Sequence, residues 1–288
     1  MGELKRGFVL TAAMWMLIGL LALPSYGQVK SGNPSPGRKA GNEWEFTVAP
    51  YAWLAGISGD TTVKDRTVHT SVKFRDLLKD LDFGAQAQIE ARKGKWGMFL
   101  QPNYLKITPT AGVSRPANMD ILQGGPAVRE ADVRLDSRTL ILEFGGFYRV
   151  ADVSLGPNRQ CPVSFDVLAG GRYWYVQNHI SLNLPQGGVS FSDTSYGNII
   201  DPIIGLRMAS HLTPKFFVTL RGDAGGFGVS SNSSHISWNG VGTVGYDISP
   251  CASIVAGYRY LYINYSPSGG AGLKASMQGP LIGFSRKF

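Results

Sequence analysis

The chain has 288 residues, with 28 Lys and Arg against 20 Asp and Glu, for a formal net charge of +8. Charged residues make up only 17%, too few to cover an ordinary soluble surface comfortably. Beyond the N-terminus no stretch approaches the roughly 18 consecutive apolar residues of a transmembrane helix, so a mature chain that enters a membrane does so as a closed barrel.

Lys5 and Arg6 precede an apolar run, Phe8 to Leu23, that is short of the ~20 residues needed to span a bilayer. Ser25-Tyr26-Gly27 places small residues where a signal peptidase needs them. These features predict a cleaved secretory signal over residues 1–27. No Cys follows the run, which argues against a lipoprotein. Residues 28–42 are rich in Gly, Pro, Ser, Lys and Arg without periodicity and read as a flexible periplasmic leader. The remainder, 43–288, is expected to form one β domain.

From there the pattern has period two, the mark of strands whose faces meet different surroundings. The first strand, Glu43 to Gly56, sets Trp44, Phe46, Val48, Pro50, Ala52 and Leu54 against Glu45, Thr47, Tyr51 and Trp53. Pro50 cannot donate to a ladder, so a local bulge is expected there. Residues 57–81 are expected to be a long connection, with Val72 to Leu81 either a short amphipathic helix or an ordered surface loop. The second strand has the cleanest alternation: Leu81, Phe83, Ala85, Ala87, Ile89 and Ala91 against Gln86, Gln88, Glu90 and Arg92. After Lys93-Gly94-Lys95 the third presents Trp96, Met98, Leu100, Pro102 and Tyr104 on one face, with Gln101 and Asn103 on the other. A long polar segment, Pro109 to Val133, follows.

Leu140, Leu142, Phe144 and Tyr148 then oppose Glu143 and Arg149. Val163, Phe165, Val167, Ala169, Tyr173 and Tyr175 oppose Asp166 and Arg172, and a loop is expected over 183–196. Ile200, Pro202, Ile204, Leu206 and Met208 oppose Asp201 and Arg207. Phe216, Val218 and Leu220 oppose Arg221 and Asp223. Ile236, Trp238, Val244, Tyr246 and Ile248 face away from Asn239, Thr243 and Asp247. The ninth strand sets Ile254, Ala256, Tyr258, Tyr260 and Tyr262 against Ser253, Gly257 and Arg259, and the tenth runs through Pro280, Ile282 and Phe284 to Phe288. The expectation is an all-β, antiparallel, up-and-down transmembrane β-barrel of about ten strands. Eight result if two are loop extensions, and twelve if Thr61 to Phe74 hides a hairpin partner. Abundant Gly and aromatics, short turns alternating with longer loops, and a terminal Phe288 placed as a C-terminal assembly signal all fit that class. Arg286 stands where an apolar residue is usual and is expected to snorkel to headgroups.

The faces turned inward carry Glu45, Glu90, Glu143, Asp166, Asp201, Asp223 and Asp247 against Arg92, Arg149, Arg172, Arg207, Arg221 and Arg259. Arg is always charged and grips carboxylates bidentately. Near-balance of this kind predicts an ion-paired, largely filled interior instead of a wide, charge-selective pore. Cys161 and Cys251 lie in turns at the same, oxidising end and are candidates for a disulfide. Other strands separate the two turns, so a bridge requires a loop folded under the barrel floor to bring their Cα atoms within ~7 Å.

Four histidines are present: His69, His179, His211 and His235. His179 with Ser181, and His235 with Ser234 and Asn232, are the two arrangements resembling a nucleophile and base at the bilayer edge. Ser is abundant there and chance proximity explains it, so no catalytic residue is expected. No GxSxG, HExxH, P-loop or CxxC motif and no metal-ligand spacing occurs, so neither cofactor nor metal is expected. Gly222 to Gly228 has the glycines of a phosphate loop, but it lies on a strand and precedes no helix.

Ala49-Pro50-Tyr51-Ala52-Trp53 with Gly56 and Gly59; Phe74-Arg75-Asp76-Leu77-Leu78; Glu90-Ala91-Arg92 through Trp96-Gly97; Asp201 through Arg207; Gly222 through Phe227; and Gly257-Tyr258-Arg259 occur in that order. Together they resemble a poorly characterised family of bacterial outer-membrane β-barrel proteins, porin-like or OmpA-like in the broad sense. The resemblance implies the barrel and its membrane but supplies no substrate or catalytic residue. The function expected is a structural or small-solute channel role and not an enzyme. The alternatives are a lipid-modifying enzyme and a loop-based binding or adhesion protein. Expected partners are outer-membrane lipids, lipopolysaccharide and, through the last strand, the barrel-assembly machinery. No nucleic acid is expected to bind, and the barrel is expected to be a monomer.

Overall fold

A computed structural model describes residues 43–63, 66–72, 74–75, 81–107, 132–155, 161–184, 189–231, 233–265 and 271–288. The expected signal, the leader and most of the 109–133 segment lie outside these residues. Of the expected Val72–Leu81 helix, Val72 and Leu81 are strand residues instead, Phe74 and Arg75 have helical backbone, and the rest lies outside these residues.

Twelve strands form one sheet: β1 (Trp44–Trp53), β2 (Gly56–Val63), β3 (Arg66–Val72), β4 (Leu81–Lys93), β5 (Trp96–Ile107), β6 (Asp132–Leu155), β7 (Cys161–Leu184), β8 (Val189–His211), β9 (Phe216–Gly226), β10 (Ile236–Ser249), β11 (Ala252–Tyr265) and β12 (Ala271–Lys287). Ten of them close a barrel. β1 pairs with β4 on one side and β12 on the other, and β4 through β12 follow as antiparallel neighbours. β2 continues the line of β1 along β12, through Gln278↔Gly56 to Ala271↔Val63. β3 then folds back on β2. The expected 57–81 connection is therefore corrected: its first half is a hairpin that lengthens the wall. Thr, Val and Ile recurring along both strands suit this structure, but the Ser, Thr, Gly and His between them carry little of the contrast that marks a lipid-facing strand.

The expected 183–196 loop is also corrected, since β7 runs to Leu184 and β8 begins at Val189. With β6 they rise as a three-stranded ribbon through Asp136↔His179↔Thr194. The 24-residue β6 and β7 are each about 80 Å long. Even at a tilt of ~40° that is more than twice the ~25 Å apolar band of an outer-membrane barrel. No bulge forms at Pro50. The register of β1 with β12 is the same on either side of it, that with β4 reaches Pro50↔Ala87 without a shift, and bulges sit at Arg149/Ala151, Leu81/Phe83 and Asp247/Ser249 instead.

The outside of the barrel is apolar: Met98, Leu100, Ile204, Leu206, Leu220, Val244 and Ile282 are all exposed. Charged side chains are buried inside it. This reverses the arrangement of a soluble barrel and is the pattern of one set in lipid. Rings gather at both rims of the band. Trp44 with Phe46, Trp96 with Tyr148 and Phe216 with Tyr246 lie near the short turns. Trp238 stacks on Tyr260 at 4.5 Å near the opposite rim. The start of β1 and the last residues of the chain meet at the short-turn rim, where Phe288 N donates to Phe46 O at 2.8 Å. The Arg286 guanidinium lies 5.3 Å over the Phe288 ring, which gives that out-of-pattern cation an aromatic neighbour.

Among the described residues the ladder around the wall is interrupted between β3 and β4. β1 and β4 pair as far as Pro50↔Ala87. Next to that point Trp53 N donates to the Gln86 side chain, at 2.6 Å, instead of to a β4 carbonyl. Past it β2 pairs with β3, and β3 is the end of the sheet order. Among the described residues no ladder joins β3 to β4.

Candidate functional site: the barrel lumen

The lumen is filled in layers. Nearest the short turns, Arg149 Nε donates to Asp166 Oδ1 at 2.7 Å, and Arg207 Nη2 to Asp166 Oδ2 at 2.9 Å. Arg207 also pairs with Glu90 and lies 4.3 Å over the Phe147 ring. Phe99, Phe147, Leu168 and Ile203 pack around these groups. At the very rim His211 Nε2 is 3.8 Å from Asp247 Oδ2.

At mid-height lies a denser network. Glu143, from β6, accepts from three arginines: Arg172 at 3.0 Å, Arg221 at 3.0 Å, and Arg259. Asp223 takes a second hydrogen from Arg172, one from Arg221 at 3.0 Å and one from Asn239 Nδ2 at 2.9 Å. Asn239 Oδ1 accepts from Arg259 Nε at 2.9 Å. Tyr51 Oη donates to Asn103 at 2.6 Å and accepts from Gln101 at 2.7 Å. Glu143 and Arg172 are 0% exposed and Arg259 1%. Arg259 stacks 4.7 Å over the Trp53 ring, and Arg221 4.9 Å over Phe99. Charges this deep persist only when paired and hydrogen-bonded throughout, and the network meets that condition.

Above this layer the inner face turns apolar. Trp53, Ile141, Trp174, Ile199, Leu261, Ile263 and Leu281 form one buried cluster inside the barrel, with Tyr51, Ala55, Ala275 and Met277 against it. The indole N–H groups of Trp53 and Trp174 are buried there without a protein acceptor. A cavity of about 90 Å³ lies here, bounded by Trp53, Ala55, Ile57, Phe74, Leu105 and Met277 among others.

The expected ion-pair candidates Glu90, Glu143, Arg149, Asp166, Arg172, Arg207, Arg221, Asp223 and Arg259 all meet in the two charged layers. Two others depart from that role. Arg92 Nε donates to a backbone carbonyl, Gly94 O, at 2.9 Å. Asp201, 0% exposed, accepts from Ser234 N at 2.7 Å and Ser234 Oγ at 2.8 Å, so it ties down the β9–β10 connection. That contact also disposes of one serine–histidine arrangement: Ser234 is fully buried, while His235 is exposed. Cys161 and Cys251 are free thiols. β8 and β9 lie between their strands, and neighbouring strands are spaced ~4.8 Å apart. The apolar layer was missed by the sequence reading. Its signal was present in Leu261 and Ile263, which continue the face of Ser253 and Arg259 but are apolar.

Fold and lumen together define an integral β-barrel of the outer-membrane type. No family model matches the chain, and no curated protein matches it. Solved structures similar to it include the outer membrane protease OmpT from Escherichia coli, with 9% identity over 86% of this chain and 97% of that one and a TM-score of 0.43. The translocator domain of the autotransporter NalP from Neisseria meningitidis has 11% identity, 86% and 90% coverage and a TM-score of 0.40. Ail of Yersinia pestis, the attachment invasion locus protein in complex with the heparin analogue sucrose octasulfate, has 10% identity, 85% and 99% coverage and a TM-score of 0.34. Likenesses this weak carry no argument about chemistry or ligand here.

Proposed function

We propose that the chain is exported with removal of residues 1–27, sits as a monomer in the bacterial outer membrane, and serves a structural or narrow small-solute role, not a catalytic one. The observation that carries this is Glu143 shared by Arg172, Arg221 and Arg259 at mid-height, with no exposed surface on Glu143 or Arg172. A hydrated ion or sugar crossing there has to separate buried ion pairs, and breaking such a pair costs about 3–5 kcal/mol. Phe288 in the closing strand is the element offered to the barrel-assembly machinery, and the aromatic rims and surplus positive charge face lipid and lipopolysaccharide headgroups.

Planar-bilayer recording tests the closure. The wild-type barrel is expected to show no stable conductance of large-porin size. Glu143→Gln, which leaves three arginines around a neutral acceptor, is expected to raise channel activity and favour anions. Large steady currents from the wild-type protein would sink the proposal.

A further inference from the structure

Two opposite charges lie side by side in the lumen and do not pair. Glu143, Arg172 and Asp201 are successive register partners on β6, β7 and β8, so their inward side chains stand in one row with Cβ atoms roughly 5 Å apart. All three are 0% exposed. Arg172 has an acid on each side of it, yet it donates to Glu143 and, two strands on, to Asp223. Asp201 instead accepts from the backbone N and the Oγ of Ser234, in the connection between β9 and β10 at the end away from the short turns. That connection is strained. Gly226, Phe227 and Gly228 have φ of 89°, 57° and 60°, and for Phe227 the left-handed conformation is costly. Gly228 N, donating to Ser234 O at 3.0 Å, holds the bend against the latched residue. Phe227 and Val229 stand exposed on it.

We propose that Asp201 is a latch coupling the external β9–β10 connection to the mid-height network: when Ser234 withdraws, Arg172 swings from Glu143 and Asp223 to Asp201, and the lumen opens beside it. This rests on the reading of the lumen as a narrow path shut at that layer. A buried carboxylate without donors does not persist, so Asp201 stripped of Ser234 draws in the nearest guanidinium. That guanidinium belongs to Arg172, its partner in the row. The acids that Arg172 leaves keep other donors: Glu143 keeps Arg221 and Arg259, and Asp223 keeps Arg221 and Asn239. The swing therefore exchanges one set of paired charges for another and leaves no carboxylate bare. Release also relieves the backbone at Phe227, which brings the two states closer in energy. Space is the functional result. Arg172 is among the largest fully buried side chains, and its guanidinium fills the place between Glu143 and Asp223. Drawn to the β8 wall, it gives that place up to water.

Thiol accessibility reads the swing without reference to conductance. In a background lacking the native thiols, Ser237→Cys places a sulfur beside Arg172, whose Nη1 lies 3.4 Å from Ser237 Oγ, at a position with no exposed surface. In the otherwise native barrel, refolded in vesicles, its labelling by a methanethiosulfonate ammonium reagent is expected to be slow. Ser234→Ala removes one of the two donors to Asp201. A hydrogen bond to a charged group is worth roughly 10- to 100-fold in an equilibrium, and labelling is expected to speed up by about that factor. Gly226→Ala presses on the same contact, since a Cβ there would stand 2.1 Å from Ser234 Oγ, and is expected to act in the same direction. Adding Asp201→Asn separates a latch from a loosened loop. The neutral amide cannot hold the guanidinium, so the acceleration is expected to vanish, whereas mere loosening would leave position 237 accessible. Heat-modifiable gel mobility confirms that each variant is folded, and if Gly226→Ala does not fold, Ser234→Ala carries the test alone. Labelling that Ser234→Ala leaves unchanged, or acceleration that survives Asp201→Asn, would overturn the latch. A wild-type barrel that conducts freely while position 237 still answers to Ser234 and Asp201 would sink the closed lumen and leave the latch standing.

Discussion

Glu143 is the single side chain on which the lumen depends most, because it is the common acceptor for three arginines. Its removal leaves buried positive charge uncompensated, so Glu143→Ala is expected to lower unfolding stability in vesicles by about 3–5 kcal/mol. An unchanged urea midpoint would contradict the packed network. Face assignment is tested by two adjacent positions. Ala87 lies on the lipid side of β4, and Arg there costs ~2–4 kcal/mol near the midplane. Gln88 points inward and donates to Glu90 at 2.6 Å, so Gln88→Arg gains a carboxylate neighbour. Refolding yield should fall for the first and hold for the second. Maleimide labelling after denaturation is expected to find two thiols per chain, as Cys161 and Cys251 are both free. The charged residues were legible in the sequence because a charge on a period-two face has nowhere to go in lipid but inward. Their partners were not. Arg207 meets Glu90 across 117 residues, and the same spacing rules would have allowed Arg92 in its place. Asp201 differed because Ser234 supplies it with two donors, while its register partner Arg172 is taken up by Glu143 and Asp223.

At the scale of strands, legibility followed contrast. β4, β5, β9, β10 and β11 lie near their expected positions because apolar and polar faces alternate through the bilayer. β2, β3 and the far ends of β6, β7 and β8 rise beyond the band, where neither face needs to be apolar. There the sequence contrast fades and the strands resemble loops. Pro50 sits in register because a lost donor costs one bond, whereas a bulge would turn Tyr51 and Trp53 out of the lumen. Glycine also acts at this scale. A Cβ on Gly245 would stand 2.0 Å from the Phe217 ring, which lies across it on the neighbouring strand. Gly245→Ala is therefore expected to displace Phe217 and lower thermal stability by about 1–3 kcal/mol, the range for overpacking. Pairing it with Phe217→Leu is expected to recover much of that loss, and no recovery would mean the glycine serves the backbone instead.

At the scale of the whole barrel, the joining of the first strand to the last has a kinetic consequence. From β4 to β12 each strand pairs with its sequence neighbour, so these ladders zip with little loop entropy to overcome. Pairing β1 and β2 with β12 brings together residues such as Val48 and Arg286, and contacts that distant in sequence form slowly. The chain should therefore exist for a time as an open, curled sheet with β1 and β12 as unpaired edges, the state most exposed to joining a second copy. Cysteine pairs can time this in a background without the native thiols. Val244→Cys with Ala256→Cys reports the β10–β11 hairpin, and Val48→Cys with Arg286→Cys reports closure. The first cross-link is expected to appear well before the second during refolding, with intermolecular products of the second pair confined to the interval between them. Simultaneous appearance of both would mean that the barrel closes as one event.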